Sequence, residues 1–215
     1  MVSRMPISME LLGPSSGKAA SDLRSDWFEG AIYVAGATCL GDQETVVAIM
    51  FVRAQVISRG AGRSIVSAAA YRHRARMMDE QVGTSFSYRG GAAELKHEEL
   101  ALPEQVPAWL RTAIEGKSIA GASEALWNAV EAFETRADAQ LARELIIALP
   151  EELTRAENIA LVQEFVRDNL TSQGMIADWV YHDKDGNPHI HLMTALRPLT
   201  EEGFGRKKVP VLGED

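Results

Sequence analysis

The chain has 215 residues, a formal net charge of −8 and a single cysteine, Cys39. That length carries one ordinary domain with a proper core, and one cysteine excludes an internal disulfide framework and fits a reducing cytoplasm. No apolar run approaches the roughly 20 residues that span a bilayer, so insertion into a membrane is not expected.

Net acidity argues against nucleic acid only if the charge is evenly spread. Here no acidic residue lies between Glu44 and Asp79, where Arg53, Arg59, Arg63, Arg72, Arg74 and Arg76 all fall. On charge alone, a solvated basic face and a DNA-binding face explain this equally well.

Residues 1–46 show no sustained periodicity and contain the flexible run Pro14-Ser15-Ser16-Gly17, so they read as a poorly ordered extension ahead of a domain over 47–215. Residues 46–57 are β-branched and apolar and predict a buried strand. A loop with two glycines follows over 58–62. Residues 63–78 hold four alanines and neither glycine nor proline, which predicts a helix. Short strands are expected over 85–89 and 96–101, with Gly90-Gly91 between them. Pro103 and Pro107 frame the start of a short helix. Ser123 suits the N-cap of a helix reaching about residue 142, with Leu126, Val130 and Phe133 on one stripe. Residues 144–149 read as a strand stopped by Pro150. Thr154 and Glu157 form a capping-box pattern that opens a helix with Ile159, Val162, Phe165 and Val166 on its apolar face, ending at Gly174. Strands over 176–182 and 189–196 complete an α+β domain, an antiparallel sheet covered by helices.

Three of the five histidines fall within ten residues, in Tyr181-His182-Asp183-Lys184-Asp185-Gly186-Asn187-Pro188-His189-Ile190-His191-Leu192. Side chains alternate across a strand, so His189 and His191 share a face. Asp185-Gly186 is a hairpin-turn signal that would fold His182 back toward them. A lone histidine is usually surface or core decoration. Three that converge can bind a divalent ion and leave coordination positions open, as a catalytic metal needs.

Tyr71 sits in Ser67-Ala68-Ala69-Ala70-Tyr71-Arg72-His73-Arg74. A tyrosine in such a setting is more often a packing residue with a polar tip. The surroundings also suit a nucleophile: a phenol with a pKa of about 10 needs nearby cations to attack at neutral pH. The same cations would hold the phosphate under attack. The small side chains at 67–70 would let a DNA strand approach closely.

Four ordered motifs together resemble the MobA/MobL relaxases, and most closely the TraA-type relaxase domain of conjugative plasmids, within the HUH endonucleases. They are Ile57-Ser58-Arg59-Gly60-Ala61-Gly62-Arg63-Ser64, the Ala69-Ala70-Tyr71-Arg72 segment, Asp138-Ala139-Gln140-Leu141-Ala142-Arg143-Glu144 with Ala148-Leu149-Pro150, and the triplet His189-Ile190-His191. The resemblance runs from about Ala48 to the end of the chain. It implies a palm-like fold with a central five-stranded antiparallel sheet. It also implies Tyr71 as nucleophile and His182, His189 and His191 as ligands of one divalent ion, with Mg or Mn ahead of Zn. Glu144 matches an acidic residue that would act as general base or orient a metal-ligand imidazole; an ion pair with Arg143 or a neighbour is the competing role.

The activity so implied is the nicking of single-stranded DNA at a plasmid origin of transfer through a 5′-phosphotyrosine link, followed by rejoining. Arg59, Arg63, Arg72 and Arg74 would contact DNA, chiefly its phosphates, giving affinity with little sequence information. Accessory transfer proteins and a type IV secretion coupling protein would be partners, in the cytoplasm. The alternatives are a rolling-circle replication initiator, disfavoured because the tyrosine precedes the histidines, and an inactive DNA-binding module with a structural metal. Relatives start just before the first strand, so Val47, from a GTG codon read as a start, is the expected beginning of the working protein. Residues 207–215 do not resemble a domain's end, which suggests continuation toward a helicase region.

Overall fold

In a computed structural model, which describes residues 7–12, 32–39, 50–184 and 186–206, most strand-like stretches pair into one antiparallel sheet, with two short hairpins, over 76–87 and 199–204, standing apart from it. The elements in chain order begin with β1 (Ile7–Leu12), β2 (Ile32–Cys39), β3 (Met50–Ser58), α1 (Ile65–Arg72), β4 (Arg76–Asp79), β5 (Thr84–Ser87) and β6 (Leu95–Ala101). They continue with α2 (Ala108–Ile114), α3 (Ile119–Phe133), β7 (Gln140–Ala148), α4 (Arg155–Asn169), β8 (Ala177–Lys184), β9 (Asn187–Ala195), β10 (Leu199–Thr200) and β11 (Gly203–Phe204). The sheet order is β1-β2-β3-β7-β9-β8-β6. Its five strands from β3 to β6 are the expected palm-like antiparallel sheet of an α+β domain.

Two stretches of the patternless N-terminal segment, β1 and β2, extend this sheet beyond β3. Apolar and polar residues alternate in Ile7-Ser8-Met9-Glu10-Leu11, a period-2 signal too short to stand out beside the flexible run that follows it. Val47 and residues 207–215 lie outside the described residues. Among those described, no helix is long and apolar enough to cross a membrane.

Alternation sorts the core into two layers. Ile147, Trp179, Tyr181, Ile190 and Leu192 face α4, where Val162, Phe165 and Val166 meet them. On the opposite face Ile57, Ala142 and Met193 pack under α1 and α3 through Ile65, Val66, Ala69, Leu126 and Trp127. His189 and His191 have the parity of Met193, so they emerge on the α1 side of the sheet.

Three expectations are corrected. The helix of 63–78 ends at Arg72, and Arg76–Asp79 is a strand with Met77 and Asp79 buried. No glycine or proline announces the break; Arg74 makes the turn at φ 49, and tertiary contacts of His73 override helix propensity. Ser118, not Ser123, caps α3 by accepting from the Gly121 N–H, and Ser123 is buried mid-helix. That helix stops at Phe133 because Leu141 and Ala142 are drawn into the core as part of β7. The capping box of α4 forms as expected, with Thr154 accepting from the Glu157 N–H.

Candidate metal centre and nucleophile site

The β8–β9 hairpin turns in two residues, since Lys184 pairs with Asn187 and Gly186 takes φ 80, a conformation glycine adopts without strain. Asp185, its partner in the expected turn signal, lies outside the described residues. This register sets His182 directly opposite His189. The three rings of His182, His189 and His191 stand edge to face at centroid separations of 5.3–5.7 Å. One nitrogen from each lies within 4.8 Å of the others.

Hydrogen bonds fix the tautomers. His182 Nε2 lies 2.7 Å from the Arg72 carbonyl, His189 Nδ1 lies 2.8 Å from the Asn187 carbonyl, and His191 Nδ1 lies 3.0 Å from Glu144 Oε1. Each of these oxygens only accepts, so each of these ring nitrogens carries the hydrogen. The lone pairs then sit on His182 Nδ1, His189 Nε2 and His191 Nε2. Burial pushes the pKa of His182 down to about 4 and that of His191 down as well, although the Glu144 carboxylate pulls His191 the other way. Both rings are therefore neutral at physiological pH, the state a divalent ion requires. The donor set suits one divalent ion: three imidazoles, each braced from behind by an acceptor.

Glu144 is fully buried beneath this cluster. It accepts from Arg72 Nε at 2.7 Å, from His191, and from Gln55 on the neighbouring strand, and it also ion-pairs with the far end of the Arg72 guanidinium. Burial alone would raise its pKa, but His191, Arg72 and Gln55 together hold it at about 2. Its ion-pair partner is thus Arg72. Gln55 was missed in the sequence, where its one signal is a polar side chain inside an apolar strand.

Tyr71, on the last turn of α1, is 43% exposed. Its ring meets Tyr88 edge to face at 5.5 Å, and the Arg74 guanidinium lies over it at 4.3 Å. The next residue, Arg72, gives its carbonyl to His182, which ties the end of the helix to the imidazole cluster.

The four arginines expected to contact DNA divide sharply. Arg72 is buried against Glu144 and the Ala68 carbonyl. Arg74 pairs with Glu94 at 2.8 Å, and Arg59 bonds Glu131, Gln81 and the carbonyls of Glu134 and Arg136. Only Arg63 of the four is exposed without an ion pair among the described residues. Arg59, Arg72 and Arg74, expected to contact DNA, are thus held by carboxylates and carbonyls of the chain itself.

Comparison with known proteins defines the class. The MobA/MobL family profile matches residues 63–215, and the chain belongs to that family. Over 169 residues, 79% of this chain, it is 57% identical to the conjugal transfer protein TraA of Agrobacterium fabrum, of which it spans 15%. It is 38% identical over 192 residues to the mobilization protein MobL of Acidithiobacillus ferridurans, covering 76% of this chain and 47% of the relative. A solved structure described as the molecular basis of vancomycin resistance transfer in Staphylococcus aureus superposes with a TM-score of 0.64 at 30% identity, over 76% of this chain and 78% of that one. The chain is therefore a conjugal transfer and mobilisation family domain, shorter than the relatives it matches.

Proposed function

We propose that this domain is a relaxase that nicks one strand of DNA at a plasmid origin of transfer and later rejoins it. The observation that carries the reading is the convergence of three tautomer-fixed imidazoles beside the helix that ends in an exposed tyrosine. Tyr71 is the nucleophile: its phenolic oxygen bonds to phosphorus, the bond to the 3′-oxygen breaks, and the departing oxygen gains a proton in balance with the one the phenol loses. One phosphodiester replaces another, so the step runs backward to reseal the strand without an energy source.

His182, His189 and His191 would hold one divalent ion, Mg or Mn by preference, whose chemistry there is to offset charge on a non-bridging phosphate oxygen. Glu144 serves as a positioning residue. A carboxylate held at about 2 is a weak proton acceptor at neutral pH, and its bond to His191 Nδ1 orients that ring. Arg74, stacked on the Tyr71 ring, restrains the nucleophile, and Arg63 contacts a flanking phosphate. Within a longer protein, the domain would hand its DNA-linked form to the transfer machinery in the cytoplasm.

The test is incubation of the chain with a labelled single strand spanning the transfer origin and Mn²⁺, then denaturing electrophoresis. A covalent adduct is expected from wild type and none from Tyr71→Phe, which should still bind the strand. An adduct that survives in Tyr71→Phe would sink the assignment.

A further inference from the structure

Tyr71 lines an open cleft of about 420 Å³ bounded by the α1 helix, the β5 strand and the β3–β7 floor. That lies within the roughly 300–1,000 Å³ of sites that bury a small organic group. Its composition is unusual for a phosphate-handling surface. Ile57, Ala68, Phe86 and Tyr88 line its walls, and its floor is the Gln55–Glu144–Arg72 cluster. There the one carboxylate is already paired with the one guanidinium, so the floor offers no net charge to a ligand.

The rim is different. Arg63 stands there exposed, and Gly62, at φ 68, leaves open space where a side chain would project. An apolar slot with a neutral floor and a cationic lip suits a flat, uncharged ring tethered to an anion.

The two aromatic walls are held in place before any ligand arrives. The Tyr88 hydroxyl pairs with Ser67 Oγ at 3.0 Å, its amide donates to the Ala75 carbonyl at 3.0 Å, and its ring abuts Tyr71 at an interplanar angle of 84°. Phe86 is fixed by the pairing of β5 with β4 opposite the buried Met77. Both rings pack partly against the α1–α3 core, stay half-buried and line the cavity. Such rings are ready platforms for stacking, with little side-chain entropy left to lose.

We infer that this cavity is a nucleobase pocket: it takes one unstacked base of the bound single strand against Phe86 and Tyr88 while Arg63 holds that nucleotide's phosphate. The inference rests on the relaxase reading and assigns part of its substrate contact to particular side chains. Stacking accepts any base, so the pocket contributes affinity and holds the strand beside Tyr71.

The experiment uses the full chain with chelator present, so that no chemistry occurs, and two fluorescent strands of equal length, oligo(dT) and an abasic backbone. Wild type should prefer oligo(dT). The Phe86→Leu, Tyr88→Leu double variant, which keeps apolar bulk in both places, should narrow that preference by about ten- to a hundredfold and leave abasic binding unchanged. Arg63→Ala should weaken both strands alike. If the double variant weakens both strands equally, or neither, the pocket is not a base site. Either single variant gives the same reading at smaller amplitude should the double variant not fold. An adduct with the transfer-origin strand, combined with an unchanged preference in the double variant, overturns the pocket and leaves the relaxase reading standing. A narrowed preference without any adduct does the reverse.

Discussion

In the β8–β9 hairpin each imidazole has one nitrogen bonded to a protein oxygen and a second with its lone pair unused. Along 59–76 most guanidiniums have their donors already engaged by carboxylates and carbonyls of the chain. Both regions are rich in chemically capable side chains. They differ in what remains after folding. The hairpin needs only a two-residue turn to converge its histidines, and its bracing bonds come from behind, so they leave the donors facing one point. Arg59, Arg72 and Arg74 reach across the fold to Glu131, Glu144 and Glu94, and brace the fold around the site. A charge counted in sequence is available to a partner only if no buried acid claims it first.

That contrast is broken most decisively at the hairpin. Changing His189 and His191 to Ala should abolish divalent-ion binding in calorimetric titration of metal-stripped protein, where wild type should show one site per chain. A double variant that titrates like wild type would mean the three rings are not ligands.

The next largest effect belongs to the strut. Glu144→Ala leaves the buried Arg72 guanidinium unpaired, and unfolding in urea should show a loss of about 3–5 kcal/mol. Glu144→Gln should lose less stability yet still weaken metal binding about 10–100-fold, because the bond that orients His191 is weakened. Equal metal affinity in Glu144→Gln and wild type would remove its positioning role.

A smaller effect separates the arginines from one another. Arg63→Ala should flatten the dependence of DNA affinity on salt by about one unit of logarithmic slope and leave stability within about 0.5 kcal/mol. Arg72→Ala should do the opposite, destabilising the fold while keeping the slope. Reversed outcomes would restore Arg72 as a phosphate contact.

The last expected effect is a pH dependence. His73 caps α1 between Glu98, 2.8 Å from Nδ1, and Asp178, 2.9 Å from Nε2. Burial lowers its pKa, but the two carboxylates outweigh burial and raise it to about 9. A raised folded pKa stabilises fully below the ordinary value of about 6.5, and that contribution is lost as pH rises through about 9. Thermal unfolding should therefore move to lower temperature across that window in wild type and flatten in His73→Gln. A slope that persists in the variant would assign the effect to another group.

The candidate site was legible in sequence where chemistry and backbone period coincide. His182, His189 and His191 were readable because a strand alternates its side chains every second residue and a short turn returns the chain on itself, both local properties. Tyr71 had a local signal in its flanking cations and small residues, but its role, like that of Glu144, came from the order of motifs, since nothing within a few residues of either one fixes its partner. The five central strands and the capping box of α4 were likewise local. Only the tertiary structure decided that the tyrosine helix ends at Arg72, that β1 and β2 lengthen the sheet, that Ser123 turns inward to Asp178, and that Arg59, Arg72 and Arg74 pair with acids of the chain while Arg63 stands exposed. The physical reason is range. A turn or an alternation is settled by neighbours in the chain. The pairing of Arg72 with Glu144 joins residues 72 positions apart, and no local pattern carries the identity of so distant a partner.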